Sequence, residues 1–180
     1  MIPPLFRRPP DPNSAVLYRA IVAQARQPAF YADLGVPDTV LGRFDMVVLH
    51  TALLLRRLRA GEAHTKLSQG VFDAFCADMD GNLREMGISD QGVPRQMKKV
   101  GEAFYGRARV YDAALDAGGE GLAEALVRNV YAGENAQVAA GRLAIYVREA
   151  AQTLESQPLE ALAKGAVRFP DPMVAAEPTR

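Results

Sequence analysis

Only one cysteine, Cys76, and two histidines, His50 and His64, occur in the 180 residues. A lone cysteine excludes an intramolecular disulfide and any cysteine-paired zinc site, and it fits a reducing compartment. The histidines stand in neither a Glu-x-x-His nor a His-x-x-x-His arrangement, so a di-metal carboxylate bundle or a zinc hydrolase has no ligand set. Haem ligation by two histidines is equally unsupported, and no cofactor or metal is expected. Excess charge of either sign is also missing, with lysine plus arginine equal to aspartate plus glutamate at 21 each. No net field then steers the chain toward nucleic acid. Apolar runs fall short of the roughly 20 residues that span a bilayer. Asp45 and His50 interrupt the richest stretch, and Arg56 and Arg57 close it. A soluble, cytoplasmic protein is the expectation. Nucleophile elbows, phosphate loops and dinucleotide fingerprints do not occur.

Alternating strand patterns of useful length are absent too, as are turn dipeptides between apolar runs, so the fold class expected is all-α. No constant repeat suggests a solenoid, and the helix faces are too irregular for a long coiled coil. A chain with 49% hydrophobic and 23% charged residues suits one domain with one sizeable core. The division expected is a flexible arm over residues 1–13, a helical bundle over 14–168 and a flexible tail over 169–180. The arm is broken by five prolines, and it offers Ile2, Leu5, Phe6, Arg7 and Arg8 for touching a membrane or partner.

What is present is helical periodicity. Asn13 or Ser14 can cap a first helix bearing Val16, Leu17, Ala20, Ile21 and Ala25, which must end before Pro28. A short helical turn follows near 29–34. Asp38 and Thr39 open a helix ending near Gly61, with Leu41, Phe44, Val47, Val48, Leu54, Leu55 and Leu58 in register and Met46, Leu49 and Leu53 on other sides. A helix apolar nearly all round is a central one. The next begins near Ala63, with Gly70 or Gly81 as potential bends. Later helices are expected from Leu122 to Gly133, from Asn135 to Glu155 with Val138, Leu143, Tyr146, Val147, Ala150 and Leu154 inward, and over 159–167.

The most informative stretch is 72–115. Phe72, Phe75, Met79, Leu83 and Met86 recur at steps of three and four and form one apolar face. Gly87 suits a left-handed helix end and Pro94 the first turn of the next helix. There Met97, Val100, Phe104, Ala108, Tyr111 and Leu115 turn inward, while Lys98, Glu102, Tyr105, Arg109 and Asp112 lie on another side. Two antiparallel helices facing each other are predicted.

Within this hairpin, Met79-Asp80, Leu83-Arg84-Glu85-Met86-Gly87, Asp90, Val93-Pro94, Met97-Lys98-Lys99 and Glu102-Ala103-Phe104-Tyr105-Gly106-Arg107 resemble the signature of the ubiquinol-cytochrome c chaperone family. Weaker similarity extends over 44–59 and 125–131. The resemblance implies a non-enzymatic chaperone for assembly of ubiquinol-cytochrome c reductase, with membrane-embedded cytochrome b as client. From mitochondrial relatives it also implies a second assembly factor and ribosome contact. Peripheral contact with the inner membrane, on the matrix side in organellar relatives, is compatible with it.

On spacing alone the carboxylates are a solvated face with local ion pairs. Asp78, Asn82 and Glu85 share one polar strip, and Asp73, Asp80 and Arg84 a second. The resemblance moves that reading toward a client-binding surface. Its polar part would come from Asp78, Asp80, Arg84, Glu85, Asp90, Lys98, Glu102, Tyr105 and Arg109, and its apolar contacts from Met86, Val93, Pro94 and Met97. Methionines suit such a surface because their thioethers adapt to varied partners. The alternative is an all-α enzyme in which Asp78, Asp80 and Glu85 hold magnesium against an isoprenoid or lipid substrate. It lacks a second acidic cluster on a facing helix. His50 reads as a hydrogen-bonded core residue, His64 as exposed, and Cys76 as a small buried hydrophobe.

Overall fold

Where apolar residues recur at helical spacing, the computed structural model, described for residues 12–59, 64–131 and 136–173, forms helices. Among the described residues there are eight helices and no strand. They are α1 (Pro12–Ala25), α2 (Pro28–Ala32), α3 (Val40–Arg59), α4 (Thr65–Glu85), α5 (Val93–Ala117), α6 (Gly121–Asn129), α7 (Gln137–Ser156) and α8 (Leu159–Ala163). The limits expected at Gly61, Ala63, Gly133 and Asn135 lie outside the described residues, as does the arm through residue 11.

The central helix is α3, which packs against α1, α4, α5 and α7. Every residue from Asp45 to Leu54 is buried, because four neighbours leave no side of the helix to solvent. Thr39 Oγ1 accepts the Gly42 amide at 3.1 Å, satisfying one of the free donors of the first turn. In the hairpin, Phe104 and Tyr111 are buried, and Met97, Val100, Ala108 and Leu115 pack against the same core.

Several expectations are corrected. Helix α1 is described from Pro12, which places Asn13 and Ser14 within it. Ser14 is completely buried against Gly70. A methyl group on Gly70 would lie 2.7 Å from Ser14 Oγ, so this glycine permits close approach of α1 and α4 where a bend was expected. Val138 is 78% exposed. It precedes buried Val147 by nine residues, which at 3.6 residues per turn places it on the opposite side of α7. His64 is half-buried at the entry to α4.

Within the stretch expected as tail, Phe169 and Pro170 contact the bundle. Phe169 sets its ring edge against His50, with centroids 5.4 Å apart. Gln157 pairs its side-chain amide with the Arg168 backbone, donating to Arg168 O at 2.9 Å and accepting from Arg168 N at 2.8 Å. Gln24 Nε2 donates to Pro170 O at 2.9 Å. Residues 174–180 lie outside the described residues.

His50 is the core histidine expected. The Met46 carbonyl, which can only accept, lies 2.7 Å from Nδ1 and fixes the proton there. Nε2 then accepts from the Tyr146 hydroxyl at 2.8 Å, and that oxygen accepts from Gln24 Nε2 at 3.0 Å. Burial depresses the imidazole pKa to about 4, so the ring is neutral with both nitrogens occupied.

Candidate functional site

The apolar stripes of α3 and α4 run on past the point where other helices cover them. Leu41 shares the phase of buried Val48, and Met86 that of buried Met79, yet Leu41 is 59% and Met86 62% exposed. The sequence reading had placed Leu41 in the register of the core, and Met86 both on the apolar face and among the contact residues. No described helix covers the start of α3 or the end of α4 on this side, and an open groove results. It has a volume of about 610 Å³. One wall is Val40, Leu41, Phe44 and Val47; the other is Asp78, Met79, Asn82, Leu83, Glu85 and Met86, with Val100 between and Arg26 and Arg43 on the rim.

Helix α4 ends beside the groove in a glycine turn. Gly87 has φ of 83°, a region a side chain would strain, while Gly87 N donates to Arg84 O at 2.9 Å and Ile88 N to Leu83 O at 3.0 Å. Arg84 then fastens the corner, bonding Asp80 at 2.6 Å and also Asp90. At Asp78 the Tyr18 hydroxyl donates across to α4 at 2.7 Å. Burial, followed by that bond to a carboxylate, holds the Tyr18 pKa above its usual value.

The residues singled out in sequence divide among several places. Asp78, Glu85 and Met86 meet in the groove. Asp80, Arg84 and Asp90 form the ion-pair cluster that staples the corner. Val93, expected as an apolar contact, is 2% exposed and points into the hairpin, because the corner amides fold it back, with Val93 N donating to Ser89 O at 3.0 Å. Met97 is half-buried against the core. Pro94, Lys98, Glu102 and Arg109 are exposed along α5, with Lys98 and Glu102 loosely paired at 3.8 Å. Tyr105, 62% exposed, borders a separate cleft of about 220 Å³ and lies 5.4 Å from Phe72.

The α3 wall was missed. Its signal was legible in Val40 and Leu41, apolar residues placed before the helix becomes central. A second omission is Asp45, which breaks the apolar run of α3. It is 2% exposed, 2.9 Å from the Arg107 guanidinium, and Arg107 lies over the Phe44 ring behind the groove wall. Burial lifts the Asp45 pKa to about 6 against the opposing pull of Arg107. Cys76 is half-buried, its pKa raised by burial and then by Asp73, so it is no activated nucleophile. Among the described residues no group of three or more histidines, cysteines or carboxylates is disposed to hold a metal ion. Asp78 is engaged by Tyr18 and Asp80 by Arg84, which weakens the magnesium reading. The arrangement is suited to binding, with an apolar floor, charged edges and a braced corner.

The family model described as ubiquinol-cytochrome C chaperone matches residues 32–169. The chain belongs to that family. The match makes the protein a chaperone for assembly of ubiquinol-cytochrome c reductase. It spans both main walls of the groove and the corner, and leaves out α1 with Arg26. A solved relative, the Cbp3 homolog from Brucella abortus, is 43% identical, with a TM-score of 0.83 over 89% of this chain and 90% of that one. No curated protein matches the chaperone in sequence. Among its described residues no helix is long and apolar enough to cross a membrane.

Proposed function

We propose that this chaperone acts without catalysing a reaction, by binding newly made cytochrome b and supporting its maturation into the reductase. The observation that carries the reading is the family match over residues 32–169, which includes the uncovered ends of α3 and α4. An assembly factor must present apolar surface in its free state, and scattered exposed hydrophobics do not meet that need. Leu41, Met86 and Val40 are exposed and converge on one groove, the kind of contiguous patch that marks an interaction site. Met79 and Met86 give it adaptable contacts. Asp78, Glu85 and Met86 form the centre of the client surface, with Pro94, Lys98, Glu102, Tyr105 and Arg109 as outlying contacts along α5. Asp80, Arg84 and Asp90 hold its shape. The chaperone reaches its membrane-embedded client from the membrane surface, with a second assembly factor as a further partner.

The test is in-cell photocrosslinking from Met86 and from Tyr105, with mass spectrometric identification of what is captured. Cytochrome b is the expected product. Capture restricted to proteins unrelated to the reductase would refute the reading.

A further inference from the structure

The walls of the groove are helices. At the two helix ends Thr39 takes the Gly42 and Arg43 amides, and the Asn82, Leu83 and Arg84 carbonyls accept from Met86, Ile88 and Gly87, so the groove offers an extended segment no continuous row of main-chain partners. A strand laid into it would bury unpaired backbone groups at a cost of about 1–3 kcal/mol each. Only a segment that satisfies its own backbone, a helix, can enter without that cost. The wall dimensions agree. From Val40 to Val47 on α3 and from Asp78 to Met86 on α4 the walls each run about 10–12 Å at 1.5 Å per residue, or two turns.

The edges differ in charge. Along α4 stand Asp78, turned to its place by the buried Tyr18 hydroxyl, and the exposed Glu85. On the α3 side stands Arg43, already paired with Asp38 at 2.7 Å. An occupant is therefore favoured when its edge toward α4 is basic.

We propose that the groove seats a helix of the client, apolar at i, i+3, i+4 and i+7 and basic along the edge that meets Asp78 and Glu85. This rests on the reading of the chain as a cytochrome b chaperone, and it adds the conformation and charge pattern of the segment captured.

Full-length protein is titrated with a fluorescent leucine-alanine peptide of about four helical turns, lysine-edged in one form and glutamate-edged in another. The lysine-edged form binds more tightly, and a central proline abolishes its binding. Leu41→Asp weakens it at least about tenfold, the size of effect expected from placing an unpaired charge in an apolar contact. Glu85→Lys, which leaves Asp78 facing a lysine and the edge without net charge, removes the preference between the two peptides. Both variants keep the wild-type melting temperature, since Leu41 and Glu85 are exposed. Equal binding of the proline-broken peptide by the wild-type protein, or no discrimination by it between the two edges, overturns the proposal. So does a shift from dimer to monomer in Leu41→Asp by analytical ultracentrifugation, which would make a second copy the occupant. Photocrosslinking separates the two levels. Cytochrome b captured from Tyr105 but not from Leu41 removes the groove and leaves the chaperone reading standing. The predicted peptide pattern with no cytochrome b captured from either position keeps the helix seat and removes the client.

Discussion

Arg107 holds its guanidinium 2.9 Å from the Asp45 carboxylate inside the bundle, tying α5 to the central helix directly behind the wall of the groove. Asp45 has its pKa raised to about 6, whereas His50 has its own lowered to about 4, each mainly by burial. The consequences for stability have opposite signs. Between about pH 4 and 6 the native state holds the Asp45 proton more tightly than the unfolded chain does, so this group makes stability fall as pH rises. Between about pH 4 and 6.5 the native state refuses the His50 proton that the unfolded chain takes up, so stability rises with pH. The two contributions offset each other over most of that range. Asp45→Asn removes one of them, and denaturant unfolding of that variant from pH 4 to 7 should show a steeper rise of stability with pH than wild type. Parallel profiles would contradict the assignment.

Gly70→Ala should destabilise the bundle by about 1–3 kcal/mol, the usual cost of overpacking, because the new methyl meets Ser14. Adding Ser14→Gly should recover part of the loss. A double-mutant cycle by chemical denaturation measures the coupling, and additivity would show that α1 and α4 do not meet there.

Phe104 is 3% exposed and contacts the rings of Phe72, Phe75 and Tyr105. Phe104→Ala should cost about 3–5 kcal/mol. Thermal and urea unfolding check this, and unchanged stability would place Phe104 outside the core.

Gln157 is 5% exposed and holds Arg168 by two bonds. Gln157→Ala should cost about 1–3 kcal/mol through the loss of these two part-buried hydrogen bonds, at about 0.5–1.5 kcal/mol each. It should also raise hydrogen exchange near Phe169 while leaving exchange in α5 unchanged. Equal protection in both would mean that the segment from residue 168 is held by other contacts.

Periodicity was sufficient for the all-α fold, the central position of α3 and the α4–α5 hairpin, because burial on one face leaves a 3.6-residue rhythm that survives in sequence. It also found the glycine turn at Gly87, where a positive φ selects the residue. It could not tell a stripe that is covered from one that is not. Leu41 and Met86 have the phase of core residues and differ from them only in lacking a neighbour, a property of the assembled bundle. For the same reason the surface residues of the hairpin were read as one patch, although Val93 turns inward and Arg84 is engaged in bracing the corner. The docking of Phe169 depends on glutamines at 24 and 157, remote positions whose side-chain amides carry no periodic signal.

The central claim is that cytochrome b depends on this chain during its assembly. Its most direct test is pulse-chase labelling of cytochrome b in cells lacking the protein, complemented with wild type or with Leu41→Asp. The account predicts rapid loss of newly made cytochrome b and little assembled reductase without the chaperone, full recovery with wild type, and partial recovery at most with Leu41→Asp. Normal cytochrome b lifetime and normal reductase levels in the absence of the protein would contradict it.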